Sequence, residues 1–488
     1  MNENLLELEP KLLWKNFREL TLIPHPSKHE EKITEFLIGF GRKYADEVFK
    51  DTVGNVVMRK KATPGMENRK SIALQAHCDM VPQCDAAKHH DFCNDPITTI
   101  VENGFVKADG TTLGGDDGIG VAAIMAIFED NTLEHGPLEA LITVDEETGL
   151  TGASGLEPNV LQSSILINLD SEEEGIFYIG CAGGVNIHIS KKLDYENLES
   201  DTFETHRVFI EGFLGGHSGS DIHKNRPNAT KLLFRFLNSI VGKVDFRMAG
   251  AEGGNMHNAI PREANATLHI HKKSLKAFAI AVKKFQKIID LEYHNSDPDG
   301  KIRTEPAPGI MMMGVTNQSF RDVNFIVNNI VSGVFAMSAD MPGLVETSNN
   351  LSIMRINGGT LRIQCFMRSS VQTQSDYFKD IICTMAEYAG AQCEFEGEYP
   401  GWKPNPDSEL VNLCKQLYSE QFGTPPIVTA IHAGLECGLI LAKYPGIDTI
   451  SMGPTMYGVH TPTEKVDIAS TQKFLNYLHN IIINAPKA

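Results

Sequence analysis

Five short stretches of the 488-residue chain carry side chains that could gather cations or move protons. They are LQAHCDMV with His77 and Asp79, LGGDDGIG with Asp116 and Asp117, VDEETGLTGA with Glu146 and Glu147, INLDSEEEG with Asp170, and YGVHTPTE with His460. Each alone has an ordinary explanation. A strand-end histidine is usually a satisfied polar residue, Asp-Asp-Gly is a common turn and helix N-cap, and Glu-Glu after a strand is usually a solvated loop. Glu172 to Glu174 are read in that way, as an exposed acidic corner. The combination is harder to dismiss, because all but the last stretch fall at the end of an apolar run or in the turn after one. Polar termini converging on one edge repel one another unless something positive sits among them.

A pair of divalent metal ions would supply that charge. Imidazole and carboxylate are the donors expected for Zn2+, with Co2+ or Mn2+ as alternatives. Three carboxylate ligands and one shared hydroxide match the charge of two such ions, so no ligand is left as an uncompensated buried charge. On a strand, residues i and i+2 share a face, which aligns His77 with Asp79 and turns Cys78 into the packing. A carboxylate beside a ligand histidine fixes the ring and raises its basicity. Glu146 and Glu147 are neighbours, and Gly149 and Gly152 supply the irregularity that lets them divide roles. One can bind metal while the other serves as general base toward the shared water.

The elements that would position these residues are legible as apolar runs. NVVMRK, SIALQAH, LEALITV and SILINLD read as strands, and GIGVAAIMAIFED reads as a helix opening after a glycine-rich turn. Helical patterning also covers Leu5 to Leu20 and Glu30 to Tyr44. Such alternation predicts an α/β domain with a mainly parallel sheet flanked by helices, and ligands collect beyond the carboxyl ends of its strands. From about residue 187 longer alternating strands appear (RVFIEG, EANATLHIHKK, NLSIMRI, TLRIQCFMR), which predicts an α+β domain. After about residue 397 helices and a strand resume, with a final helix near 470–484. The simplest topology is one domain, 1–186 and 398–488, interrupted by another, 187–397.

Composition excludes several functions. The net charge of −18 argues against a nucleic-acid partner. No apolar run approaches the roughly 20 residues of a membrane span. The N-terminus lacks the basic and apolar regions of a signal peptide, and nine scattered cysteines without a CxxC suit reduced thiols, so a cytoplasmic location is expected. Met311 to Met313 read as core filler.

With the five motifs in order, the sequence resembles the co-catalytic zinc metallopeptidases that include carnosinases, succinyl-diaminopimelate desuccinylase and related aminoacylases. The resemblance runs along essentially the whole chain and is densest at QAHCDMVPQ, GTTLGGDDGIG, HGPLEALITVDEETGLTGA, NLDSEEEG, CAGG, GGHSGSDIH and IHAGLECG. It implies His77 and Asp170 on one metal, Glu147 and His460 on the other, and Asp116 bridging both. It further implies Asp79 as the partner of His77 and Glu146 as the base. Asp117 departs from the family pattern, where asparagine is expected, and is left out of the site. The middle domain then resembles the family's lid and makes a homodimer the expected assembly. There His217 in GGHSGSDIH stands as an oxyanion donor, Asn258 in GGNMHNAIP as a substrate-binding asparagine, and Arg368 in CFMRSS as a clamp for a free carboxylate. The activity implied is hydrolysis of unblocked dipeptides, Xaa-His and β-alanyl-histidine among them.

Three alternatives stay open at this point. One is another amidase of the same superfamily, an aminoacylase or a tripeptidase. A second is a catalytically dead, peptide-binding relative, although all seven candidates for metal, base and orienting carboxylate are present. The third, a hydrolase using Cys78 or Ser218, lacks a GxSxG elbow. His89, His90, His257 and His432 are read as non-ligands.

Overall fold

Ile72–His77 is buried along its whole length, as a strand covered on both faces must be. It pairs in parallel with Leu138–Thr143 on one side and Ile165–Asn168 on the other. Asp448–Ser451, from the far end of the sequence, adds a fourth parallel strand beside Ile165–Asn168. In this computed structural model, which describes residues 2–488, these four form the centre of an eight-stranded sheet. The order is Glu47–Lys50, Val56–Lys60, Leu138–Thr143, Ile72–His77, Ile165–Asn168, Asp448–Ser451, Ile176–Cys181, Ile427–Ile431. Val56–Lys60 and Ile176–Cys181 run antiparallel to their inner neighbours, so the sheet is parallel only at its middle. The four parallel strands all end on one edge, at His77, Thr143, Asn168 and Ser451.

Helix Gly115–Glu129 is buried almost throughout, which explains why its sequence is apolar on every side. Helices Lys11–Thr21, Glu31–Tyr44, Glu409–Phe422 and Ile468–Ile483 present one buried stripe each. The expected helix over Leu5 to Leu20 is broken: a 3-10 turn covers Glu3–Glu7 and the α-helix starts only at Lys11. Pro10 is the cause, since proline has no N–H to donate and fits only the start of a helix.

Contact density divides the chain into two compact units. The first comprises Met1–Cys181, Pro404–Ala430 and Leu435–Ala488, and the second comprises Ala182–Lys403 with Ile431–Gly434. The first crossing lies before residue 186 because Gly183–Lys192 pairs along its full length with Thr360–Ser369. Ile431–Gly434 joins the second unit through the Ala182 N–H, which donates to the Ile431 and Ala433 carbonyls.

The second unit is built on a nine-stranded antiparallel sheet, with helices Ala229–Ile240, Leu275–Tyr293, Asn317–Asn329 and Gln372–Tyr388. Leu233, Phe236, Phe285, Val323 and Phe378 from these helices join Leu268, Leu351 and Ile363 from the strands in one core. Met311 is 72 % exposed, contrary to its reading as core filler, because it lies in the turn before the short strand Met313–Val315.

Candidate metal centre and active site

His77 closes its strand, and Asp79 lies just beyond it; both are buried. The Nδ1 edge of the ring faces the Asp79 carbonyl oxygen at 3.1 Å and Asp79 Oδ1 at 3.4 Å. Nε2 therefore points away, 3.1 Å from Asp116 Oδ1 and 3.5 Å from Asp170 Oδ1. The other oxygen of Asp116 lies 3.2 Å from His460 Nε2, which in turn lies 2.9 Å from Glu147 Oε1. Two triads result, His77–Asp116–Asp170 and Asp116–Glu147–His460, each with its ligand atoms within 4.8 Å of one another. Asp116 serves both, one oxygen to each histidine. Glu146 belongs to neither, but its carboxylate groups with His77 and Glu147 at the same centre.

Local structure explains each placement. Asp116 sits where the glycine turn meets its helix, and neither it nor Asp117 has helical dihedrals. Gly114 supplies the left-handed residue of that turn, at φ 71°. Asp117, left out of the expected site, stays outside both triads: it accepts the N–H of His77 at 3.3 Å and of Gly120 at 3.1 Å. Glu146 and Glu147 open a single helical turn, entered through Asp145 at φ 51°. Their N–H groups donate to Asp79 Oδ1 at 3.0 Å and Oδ2 at 3.3 Å, and Ser27 Oγ donates to Oδ2 at 2.8 Å. Asp79 thus supports the His77 ring and the glutamate turn at once. His460 is held at φ 62° in the loop after Gly458.

The electrostatics call for a cation. Burial, aided by Glu436, Glu147 and Asp116 and opposed by His77, pushes Glu146 up to about 8. Burial also raises Asp170 well above the carboxylate range, with Asp116 and Glu146 adding to it. The carboxylates of Asp116, which accepts from Nε2, and of Glu147 close by raise His460 to about 11. A centre of this kind holds protons in place of positive ions. Glu147 Oε1 is buried without an aligned hydrogen-bond partner, despite its closeness to His460. Ligands at zinc distances in a tetrahedron lie about 3.3 Å from one another. The contacts within the triads, 2.9, 3.1, 3.2 and 3.5 Å, bracket that spacing. The donor set and its spacing fit two divalent ions with a shared carboxylate.

Several residues at this centre were not singled out by sequence reasoning. Glu464 is 2 % exposed and accepts four main-chain N–H groups, from Leu113, Gly114, Gly115 and Asp116, at 2.6, 3.2, 2.7 and 3.3 Å. Its only signal in the sequence is its place four residues after His460. Glu436 is fully buried, and its Oε2 accepts from Gln75 Nε2 at 2.6 Å and Thr143 Oγ1 at 2.7 Å. The acidic corner Glu172 to Glu174 is not simply solvated. Burial and the nearby Asp116 push Glu172 up to about 7, and Glu174 accepts from Tyr418 Oη and Lys473 Nζ. The turn after Asp170 meets the segment beyond strand Asp448–Ser451, where the Met456 N–H donates to the Glu172 carbonyl at 2.9 Å and the Glu174 N–H to Thr455 Oγ1 at 3.2 Å. Cys78 is buried and its thiol is pushed well above its usual range by that burial, so it is packing and not a nucleophile.

Within the second unit, His217 Nδ1 accepts the N–H groups of Gly219 at 3.2 Å and Ser220 at 3.1 Å. The ring is therefore the tautomer with its proton on Nε2, and burial beside Arg368 lowers its basicity. His217 and Asn258 line one cavity of about 840 Å³. Arg368 is 5 % exposed and lies over the Phe366 ring at 4.6 Å, with its Nε unbonded. Ser218 Oγ is buried without a hydrogen-bond partner among the described residues, so no base activates it. His432, read as a non-ligand, bonds Ser348 Oγ through Nε2 at 2.7 Å.

The chain is 39 % identical over 482 residues to the cytosol non-specific dipeptidase of Escherichia coli (strain K12), covering 99 % of both chains. The crystal structure of aminoacylhistidine dipeptidase from Vibrio alginolyticus superposes with a TM-score of 0.95 at 37 % identity, covering all of both chains. That of aminopeptidase PepT from Bacillus cereus shares the fold, with a TM-score of 0.56 at 17 % identity over 98 % of this chain and 99 % of that one. The pattern of Peptidase family M20/M25/M40 matches residues 73–484, and the chain belongs to that family.

Proposed function

We propose that the protein is a dinuclear metal-dependent dipeptidase that hydrolyses unblocked dipeptides, Xaa-His and β-alanyl-histidine among them. The observation that carries this reading is the pair of triads sharing Asp116. The names of the relatives with 39 % and 37 % identity support the dipeptide substrate. We assign His77 and Asp170 to one ion, Glu147 and His460 to the other, and Asp116 to both, with zinc as the metal and cobalt or manganese as substitutes. When bound, the ions lower the pKa of a water toward neutrality and polarise the scissile carbonyl.

The chain's own residues do the rest. Asp79 holds the His77 ring through its Nδ1 edge and fixes the turn that carries Glu146 and Glu147. Glu146, a carboxylate that binds neither ion, takes the proton of the attacking water and returns it to the leaving amine. His217 donates its Nε2 proton to the oxygen of the tetrahedral species, and Asn258 binds the substrate beside it. Arg368 holds the free carboxylate by its planar fork, which selects short peptides with an open C-terminus. The second unit acts as a lid in a homodimer, and the enzyme works in the cytoplasm. No helix among the described residues is long and apolar enough to cross a membrane.

Chelation followed by addition of zinc, cobalt or manganese, with several Xaa-His dipeptides and N-acetyl amino acids as substrates, tests the reading. Metal-restored hydrolysis of dipeptides is expected. Preference for N-acetyl amino acids would replace the dipeptidase with an aminoacylase, and full activity after chelation would end the metal mechanism. Glu146→Gln is expected to lower kcat by roughly 10²–10⁴-fold with metal content unchanged.

A further inference from the structure

Glu464 is a buried carboxylate for which the proposed reaction has no use. Its two oxygens together accept the N–H groups of four consecutive residues, Leu113 to Asp116, the last of which is the shared ligand. Gly115 is packed against it: a Cβ there would stand 3.0 Å from Glu464 Oε1 and 2.6 Å from Val466 Cγ2. The other end of the Glu464 loop is His460. The turn between them is tightened by Thr461 N–H to the Gly458 carbonyl at 3.2 Å and by Glu464 N–H to the Thr461 carbonyl at 3.0 Å. Strand Lys465–Asp467 then anchors the loop by pairing with Phe105–Ala108.

We infer that Glu464 is a positioning residue that locks the Asp116 turn to the His460 loop, so that the ligand sets of both ions form together. The inference rests on the two-ion reading above and deepens it. Two residues that must meet at one ion come from positions 344 apart in the chain, and their contact is otherwise only 3.2 Å between side-chain tips. A fixed main-chain link between their loops removes the freedom that would let Asp116 rotate away. Carboxylate is the suitable group, because it presents acceptors only and each bond to it is charge-assisted. A carboxamide of the same shape would turn an NH2 toward two of the four N–H donors.

Glu464→Gln tests this through metal binding. Cobalt titration of the metal-free protein, followed by visible absorption and by equilibrium dialysis, is run well below the melting temperature. The comparison variant is Glu139→Gln. Glu139 is also a buried carboxylate that caps main-chain N–H groups, those of Gln162 and Ser163 at 2.8 and 2.7 Å, but it touches no ligand turn. Glu464→Gln is expected to weaken binding of both ions by roughly 10–100-fold, with turnover restored by excess metal. Glu139→Gln is expected to lower the melting temperature and leave both affinities unchanged. Wild-type cobalt affinity in Glu464→Gln, or equal losses in the two variants, overturns the inference. Glu464→Asp, which keeps the charge on a shorter arm, is the reserve variant if the amide does not fold, and an intermediate loss is expected of it. If the wild-type chain takes up one ion only, the two-ion reading falls. The role of Glu464 is then still decided by the affinity ratio for that ion, because Asp116 belongs to both ligand sets.

Discussion

Asp79→Asn separates the support of the metal centre from its ligands. Asp79 carries three hydrogen bonds on its two oxygens, from Glu146 N, Ser27 Oγ and Glu147 N, and faces His77 Nδ1 as well. Burial opposes its ionisation, but His77 and the donors from Glu146 and Ser27 outweigh burial and hold it at about 2, against the ordinary 3.8. A depressed carboxyl stabilises the fold above its unfolded pKa, and that stabilisation is lost as pH falls through the folded value. The difference amounts to about 2.5 kcal/mol at neutral pH, disappearing between about pH 4 and pH 2.

In the asparagine variant the amide NH2 must face one set of donors. Its mildest placement is at the Oδ2 position, where Ser27 can turn its hydroxyl to accept and only the longer bond from Glu147 N is lost. The Glu147 turn loosens while Glu146 keeps its anchor, and His77 loses a charged neighbour. Outer partners of metal-bound histidines are worth about 10–100-fold in metal affinity or activity. Asp79→Asn is therefore expected to lose about 2.5 kcal/mol of stability at pH 7 and little at pH 2, with metal affinity down by that factor. Urea unfolding of the metal-free protein across pH 2–7 measures the first quantity, and calorimetric zinc titration measures the second. Equal stability loss at both ends of the pH range, together with wild-type zinc affinity, would refute the assignment of Asp79 as the support of this centre.

Three other outcomes follow from the geometry. Gly152→Ala should destabilise the glutamate turn by roughly 2 kcal/mol or more, since its Cβ would stand 2.7 Å from the Val144 main chain and 2.4 Å from Asn55 Oδ1. A lower melting temperature with reduced turnover is the expected readout. Burial, with Arg368 nearby, lowers His432 to about 3, so the folded state keeps it neutral where the unfolded chain protonates it near 6.5. Stability should fall as pH drops from about 6.5 toward 3, and His432→Gln should flatten that limb in acid-unfolding curves. Arg368→Lys should raise KM for dipeptides by roughly 10-fold or more, while a dipeptide amide, which lacks the carboxylate, should show little difference between the two enzymes.

The legible parts of this molecule were those whose physics is local. SIALQAH and SILINLD announce buried parallel strands by composition alone, and their polar last residues mark the edge where ligands collect. Polar residues at strand ends could therefore be grouped before any contact was known. Glu464 could not be found in this way, because its partners are main-chain amides about 350 positions earlier, and amides carry no residue signature. Glu172 to Glu174 misled for the opposite reason: an acidic run reads as solvated unless the fold returns over it, and return is a tertiary fact. Pro10 was readable and outweighs the apolar periodicity around it.

The central strand Asp448–Ser451 has a consequence for synthesis. It lies between Ile165–Asn168 and Ile176–Cys181, so the first 181 residues emerge with a gap in the middle of their sheet. At ribosomal speeds of about 5–20 residues per second, the 267 positions from 181 to 448 keep that gap open for roughly 15–50 s. His460 and Glu464 arrive only after the strand that closes it. A chain that ends before Asp448 therefore lacks a central strand of the sheet and the His460 member of the second triad. Under the proposed ligand assignment, both cation sets are complete only once His460 has emerged.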